Sequence, residues 1–408
     1  MITIPPALTG PISLPPAPVA TGADLFAQAL VRQLRRSGAP AHRLELAMEA
    51  FAAELGLRGA WHVLPSSILA STGPGRVTLV DVSQEETDLS RLAAVDEVAA
   101  AVAAGRRTPA QGLRDLAAIE AAPPRVGPAL DALGWAAGTA SAALFFGGGL
   151  GEAAVAAGIG LASFAVARVG RLARNALVEV VAATLAALAV HAAPGVALEP
   201  ALLGGLVALY PGLRLTTGMT DLATGHLLSG SGGLLAAGVT LLQLGFGVAL
   251  GTRLGIAWFG PPAPVTPAAL PLAEAVGLVV GAFAFAVLLR ARWAHVPQIG
   301  LAVAVSFFAA RAGNAWLSPA LGGGVAAFAL TASGNALARL LDRPAAVTQV
   351  PGIWLLVPGS LGFRAVQALL AQDVVGGVDA AFSTALSAMA LVAGTLLGNA
   401  VIAPRRTL

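Results

Sequence analysis

From residue 131 to the C-terminus the chain holds only 13 Arg and 9 Asp or Glu in 278 residues, and most of the remainder is Ala, Leu, Val and Gly. That is too little charge to cover the surface of a soluble domain of this size. A helix needs about 20 mostly apolar residues to cross a bilayer, since in lipid each backbone amide must bond within its own segment. Candidate spans fall near 131–150, 152–169, 175–194, 199–213, 231–252, 272–290, 296–313, 319–338, 348–370 and 378–402. Gly and Pro recur inside them, which packed membrane bundles tolerate.

Residues 1–130 differ, with 11 Arg against 12 Asp or Glu. The first twenty residues carry six Pro and no Arg. They lack the basic start and unbroken apolar core of a signal peptide, so 1–21 is expected to be a disordered tail. Leu25, Phe26, Ala29, Leu30 and Leu34 recur at helical spacing, and a second helix is expected from Ala41 to Leu55. Trp61–Leu69 and Arg76–Val82 read as strands joined at Gly73-Pro74-Gly75. Asp88 can cap a helix ending near Gly105, and Thr108-Pro109 opens another that stops before Pro123-Pro124. The expectation is mainly α: a soluble α+β domain over 22–125, then a polytopic membrane helix bundle of about ten transmembrane helices, divided into 126–256 and 257–408.

Arginine placement gives an orientation. With residues 1–130 inside, inner loops hold Arg168, Arg171 and Arg174, then Arg214, then Arg290 and Arg292, then Arg339 and Arg343, then Arg405 and Arg406. Only Arg253 and Arg311 fall on the outer side. This is the positive-inside bias, and it puts both termini in the cytoplasm of a cell with this chain in its inner membrane.

Span four contains Leu209-Tyr210-Pro211-Gly212 and span nine Leu356-Val357-Pro358-Gly359. Asn175-Ala176-Leu177 and Asn314-Ala315-Trp316 form a second, weaker match. Two units of five helices insert with opposite orientation because five is odd. Inverted repeats with matching helix breaks at Pro211, Gly212, Pro358 and Gly359 point to a secondary transporter whose substrate sits at the breaks.

Several functions are excluded. The chain has no Cys, so it has neither disulfides nor thiolate metal sites. Its five His are scattered, and no metal or cofactor is expected. Every basic residue is Arg, but no basic run with interleaved aromatics suggests nucleic acid. His42 with Ser66, Ser67 and Asp81 or Asp88 lacks a nucleophile elbow, so the chain is not expected to be an enzyme. Gly147–Gly149 and Gly322–Gly324 are followed by no Lys and read as close helix contacts, not phosphate loops.

The densest polar group beside a break is Thr216, Thr217, Thr220 and Asp221. It reads either as a substrate site on unwound backbone or as a cytoplasmic loop in which Thr217 or Asp221 caps a short helix. Ser360, Arg364 and Gln367 follow the second break. Arg364 is either a substrate-binding charge or a snorkelling residue paired with Asp373. Glu179 and Asp221 are the candidates for carrying a proton, with an ion pair to Arg171 or Arg174 the alternative for Glu179.

The chain also resembles the threonine/serine exporter family. The resemblance runs from about Asp24 through Ser37-Gly38-Ala39-Pro40-Ala41-His42-Arg43-Leu44-Glu45, Leu92–Val98, the Pro109–Ile119 helix, Pro211–Leu222 and Pro358–Arg364. Thr217 and Thr220 stand where the family pattern has Asn and Arg, and Ser229–Gly233 lacks its usual Arg. The resemblance implies a cytoplasmic domain, ten membrane helices and proton-driven export of a small hydroxy amino acid. Implied partners are that amino acid, protons and the bilayer, with a homo-oligomer left open. The competing reading is a membrane-anchored sensing or binding module with a passive pore.

Overall fold

The computed structural model describes residues 21–54, 59–64, 67–72, 77–81, 87–173, 177–267, 272–341 and 343–404. The expected tail, the Gly73-Pro74-Gly75 turn, Arg174, Asn175, Arg405 and Arg406 lie outside the described residues.

Helix α1 (Gly22–Arg36) starts at a capping box in which Thr21 and Asp24 satisfy each other's backbone N–H. Its buried stripe is Phe26, Ala27, Leu30, Val31 and Leu34; Leu25 is exposed, one position off the face expected for it. Helix α2 (Ala41–Glu54) follows the left-handed Gly38. Strands β1 (Gly59–Val63), β2 (Ser67–Thr72) and β3 (Val77–Asp81) form an antiparallel sheet in chain order. The single strand expected over 61–69 is therefore two, because the Leu64 N–H bonds the Ser67 carbonyl at 2.8 Å and reverses the chain. Asp88 caps α3 (Leu89–Ala103), and Thr108 and Gln111 form the capping box of α4 (Pro109–Ala121), which has Pro109 at its first position.

The helical region comprises α5 (Pro128–Phe145), α6 (Leu150–Ala173), α7 (Val178–His191), α8 (Leu198–Gly205), α9 (Gly212–Ala223), α10 (Leu227–Phe259), α11 (Ala273–Leu288), α12 (Val296–Trp316), α13 (Pro319–Leu341), α14 (Ala346–Leu356), α15 (Gly359–Leu370) and α16 (Val374–Val401). Each stretch expected as a span carries helix among its described residues. Six helical segments are long and apolar enough to cross a membrane: Leu150–Gly170, Leu227–Phe259, Trp293–Trp316, Pro319–Leu341, Ala346–Leu370 and Val374–Val401. Val178–His191 and Ala273–Leu288 are shorter apolar helices. The segment after Pro211 is not a loop: Thr216, Thr217, Thr220 and Asp221 all lie on α9, and Arg214 lies in its first turn.

Packing recurs along the chain at one spacing. Helix α9 starts at 212 and α15 at 359, a difference of 147; α10 starts at 227 and α16 at 374, the same difference. Gly205 packs on Ile159 and Gly352 on Ser306; Gly230 packs on Leu222 and Gly377 on Leu369; Gly251 packs on Thr184 and Gly398 on Thr331. In each pair both members shift by that interval. The match between Asn175 and Asn314 is outside this register, which carries position 175 onto Gly322. Between the halves the contacts are reciprocal: α10 packs on α15 and α16 on α9, while α5 meets α11 and α9 meets α15. Of the glycine runs, Gly324 lies against the Ala390 carbonyl of α16, whereas Gly147 takes a left-handed turn with φ +84°.

The N-terminal elements sit on one end of this bundle. Their core continues into it through Ala286, Leu289, Ala291, Ile299, Val303 and Ala346. The Leu89 N–H donates to the Leu289 carbonyl at 2.9 Å, and Arg292 reaches Glu97 at 3.5 Å.

Candidate functional site

Each break follows from its proline. Pro211 and Pro358 have no N–H to return to the preceding turn, and each pushes the residue before it into extended backbone. Tyr210 has φ −64° and ψ 132°, and Val357 has φ −64° and ψ 137°. The prolines take φ −79°, ψ 35° and φ −82°, ψ 34°. The helix then restarts at a glycine in both cases. The two breaks touch: a methyl group on Gly359 would stand 2.9 Å from Tyr210 Cβ and 3.2 Å from Gly212 Cα. Only glycine permits that approach.

Around the crossing, the rings of Tyr210 and Phe363 lie 5.1 Å apart. The Tyr210 hydroxyl is buried and has no hydrogen-bond partner among the described residues. A buried hydroxyl normally finds a partner, and this one lies beside the crossing with its bonding capacity unused. Tyr210, the chain's single tyrosine, belongs to the motif that marks the break, but its hydroxyl carries no signal in sequence; its place beside the crossing emerges only in the fold. Arg364, one and a half turns into α15, pairs with Glu199 of α8 at 2.9 Å and not with Asp373, which caps α16. Ser360 is half-buried in the first turn of α15. Beside Glu199 opens a cavity of about 540 Å³, lined by Phe146, Leu198, Pro200, Pro262 and Pro264 among others.

The threonines of α9 bond back along their own helix. Thr216 donates to the Gly212 carbonyl, Thr217 to Leu213 and Thr220 to Thr216, at 3.2, 2.8 and 2.9 Å. Their protons are used, and their lone pairs remain free to accept from an ammonium or hydroxyl group. Thr216, Thr220 and Asp221 are buried.

Asp221 lies nine residues beyond Gly212, about 13 Å along the helix. It meets the N-terminal elements there. Its Oδ1 takes the His42 ring at 2.9 Å and the His42 backbone N–H at 3.3 Å, and Ser229 donates to its Oδ2 at 3.3 Å. A second pair beside it joins His226 to Glu45 at 3.0 Å. Thus His42 faces α9 and not Ser67 or Asp81; Ser66 is outside the described residues. Asp221 and Arg364 engage different partners, while the two Pro-Gly breaks share one contact. Glu179 is half-buried in the first turn of α7, with no partner among the described residues. Also among the described residues, no group of three or more His, Asp or Glu could hold a metal.

A threonine/serine exporter family model matches residues 26–255, and a second, described as Threonine/Serine exporter, ThrE, matches residues 274–401. The chain belongs to the threonine/serine exporter family. No curated protein and no solved structure matches it. Membership of that family makes it a multi-pass membrane protein and a transporter, not an enzyme. The interval between the two matches, residues 256–273, takes in the end of α10 and the segment up to the start of α11.

Proposed function

We propose that this exporter moves threonine, serine or a related small amino acid out of the cell in exchange for protons, through a bundle of ten spans built as two inverted five-helix repeats. In this reading α8 with α9, and α14 with α15, are the two broken spans. Residues 22–125 form a cytoplasmic domain, 126–256 and 257–408 are the repeats, and both termini lie inside an inner membrane. The observation that carries it is the contact between two breaks of the same backbone conformation, Tyr210-Pro211-Gly212 against Val357-Pro358-Gly359. Freed amides and carbonyls inside a membrane are costly unless they line a cavity or bind a polar ligand. The constant 147-residue register and the reciprocal contacts of α9, α10, α15 and α16 support a twofold relation between the halves.

The substrate is then held at the crossing. Arg364 serves the carboxylate, with Glu199 as its partner when the site is empty. Thr216, Thr217, Thr220 and Ser360 offer hydroxyl oxygens on the break side, and a site that bonds a hydroxyl rejects analogues lacking one. Asp221 and Glu179 are the groups proposed to carry the proton. The test is substrate-dependent proton flux in proteoliposomes of the purified protein. Threonine and serine should drive counter-movement of protons while alanine drives far less. Threonine flux without proton movement would instead favour a passive pore.

A further inference from the structure

The first turn of α2 enters the helical region between the two broken spans, touching α9 on one side and α14 on the other. His42 faces α9 and is answered by Asp221. Arg43 faces α14, where its guanidinium donates to Gln349 Oε1. That amide is fixed in orientation by a ladder behind it. Asn335 gives both its N–H bonds to Asn399 Oδ1 and the Ile402 carbonyl, at 2.9 and 2.6 Å, so its oxygen receives Gln349 Nε2 at 2.8 Å. Gln349 therefore presents its oxygen to Arg43.

A neutral amide cannot balance a guanidinium. Among the described residues no carboxylate pairs with Arg43, and burial holds its guanidinium below the usual arginine value with no opposing charge. The nearby carboxylate, Asp221, is already shared by His42, Ser229 and the field of buried Arg35, and it accepts from the backbone at the N-terminus of α2. Glu45, two residues along α2, is taken by His226, so the carboxylates and arginines here balance in number while the Arg43 guanidinium itself meets no anion, at some cost unless one binds. The remaining guanidinium N–H groups are not sealed: none of them is among the buried polar atoms lacking a partner. A planar fork with free N–H groups fits a carboxylate at two points.

We infer that Arg43 anchors the α-carboxylate of the amino acid at an inward-facing loading site between α2, α9 and α14, before the substrate reaches the breaks. The N-terminal elements then take part in recognition, beyond covering one end of the bundle. This rests on the export reading above.

The full-length protein in detergent is tested with radiolabelled threonine, with unlabelled threonine and threoninamide as competitors. Threoninamide keeps the ammonium and hydroxyl groups and lacks the carboxylate. Wild type should prefer threonine by at least about tenfold, and Arg43→Gln should cut that ratio severalfold, the remainder coming from Arg364 at the crossing. A role confined to holding α2 on α14 would weaken both competitors alike and leave the ratio unmoved, which overturns the inference. A wild-type measurement runs beside it: phenylglyoxal modification of Arg43, followed by mass spectrometry. Threonine should slow it and threoninamide should not; equal modification under both also overturns the inference. Absence of any threonine binding by wild type would instead sink the export reading.

Discussion

Replacing Gly359 by alanine tests the crossing of the two broken spans. The new Cβ would stand 2.9 Å from Tyr210 Cβ and 3.2 Å from both the Cα and N of Gly212. Carbon atoms prefer about 3.5–4.0 Å, so the breaks must separate by several tenths of an ångström. None of the three atoms is the free end of a flexible side chain: two are backbone, and the third is one bond from it. Overpacking of this kind costs about 1–3 kcal/mol. Gly238→Ala on α10 is the control, because nothing lies within 4 Å of a Cβ there. At that site alanine should gain roughly 0.8–1 kcal/mol of helix propensity. The two variants should therefore differ by about 2–4 kcal/mol in opposite directions from wild type. Thermal midpoints in detergent, compared rather than converted to free energies, should place Gly359→Ala a few degrees below Gly238→Ala. Threonine efflux from proteoliposomes should fall in the first variant and hold in the second. A Gly359→Ala protein that melts with the control and transports at the wild-type rate would show that the breaks are not in contact.

Asp221→Asn should abolish proton-coupled export while the protein still inserts, and removal of the charge that holds His42 should make α2 easier to cleave in limited proteolysis; unchanged coupling refutes the proton role. Arg364→Ala breaks an ion pair whose side chains are 46% and 67% exposed, so stability should change by less than about 1 kcal/mol while the threonine KM rises; a large drop in midpoint with unchanged KM argues for a structural role. Tyr210→Phe removes a hydroxyl with no partner, so the fold should be as stable as wild type or slightly more so, and a rise in KM for threonine above that for alanine would mark it as a substrate contact. Reporter fusions after Arg343 should read inside and those near Gly376 outside; an inside signal at Gly376 contradicts ten spans.

The threonines of α9 show how far residue type can be taken. Their clustering beside Pro211 is visible in the sequence, and so is the choice between an unwound site and a capped loop. In the fold they form a helix and spend their protons on carbonyls four residues back, so they can act toward a ligand as acceptors. Arg364 is similar. Its place inside an apolar segment marks it as unusual, but Glu199 lies 165 positions earlier and enters only through packing of α8 against the crossing. Strand reading over 61–69 fails for a local reason: the Leu64 N–H bonds back to the Ser67 carbonyl, a reversal that residue type along the stretch does not show.

By itself the sequence determined that this chain is a polytopic membrane protein with a charged N-terminal part, because scarcity of charge over 278 residues leaves no other solvent for it. It also determined where two helices must break, because proline lacks an N–H wherever it stands. Tertiary structure decided what those local facts become. It brought residues 147 positions apart into contact at Gly212 and Gly359, left the Tyr210 hydroxyl without a partner among the described residues, and set Asp221 against His42 and Arg43 against Gln349. Those pairings join residues up to 306 positions apart, and a linear pattern of hydrophobicity holds no information about which helix faces which. They are settled by close packing of small residues, where a single methyl group at Gly359 is enough to separate the helices.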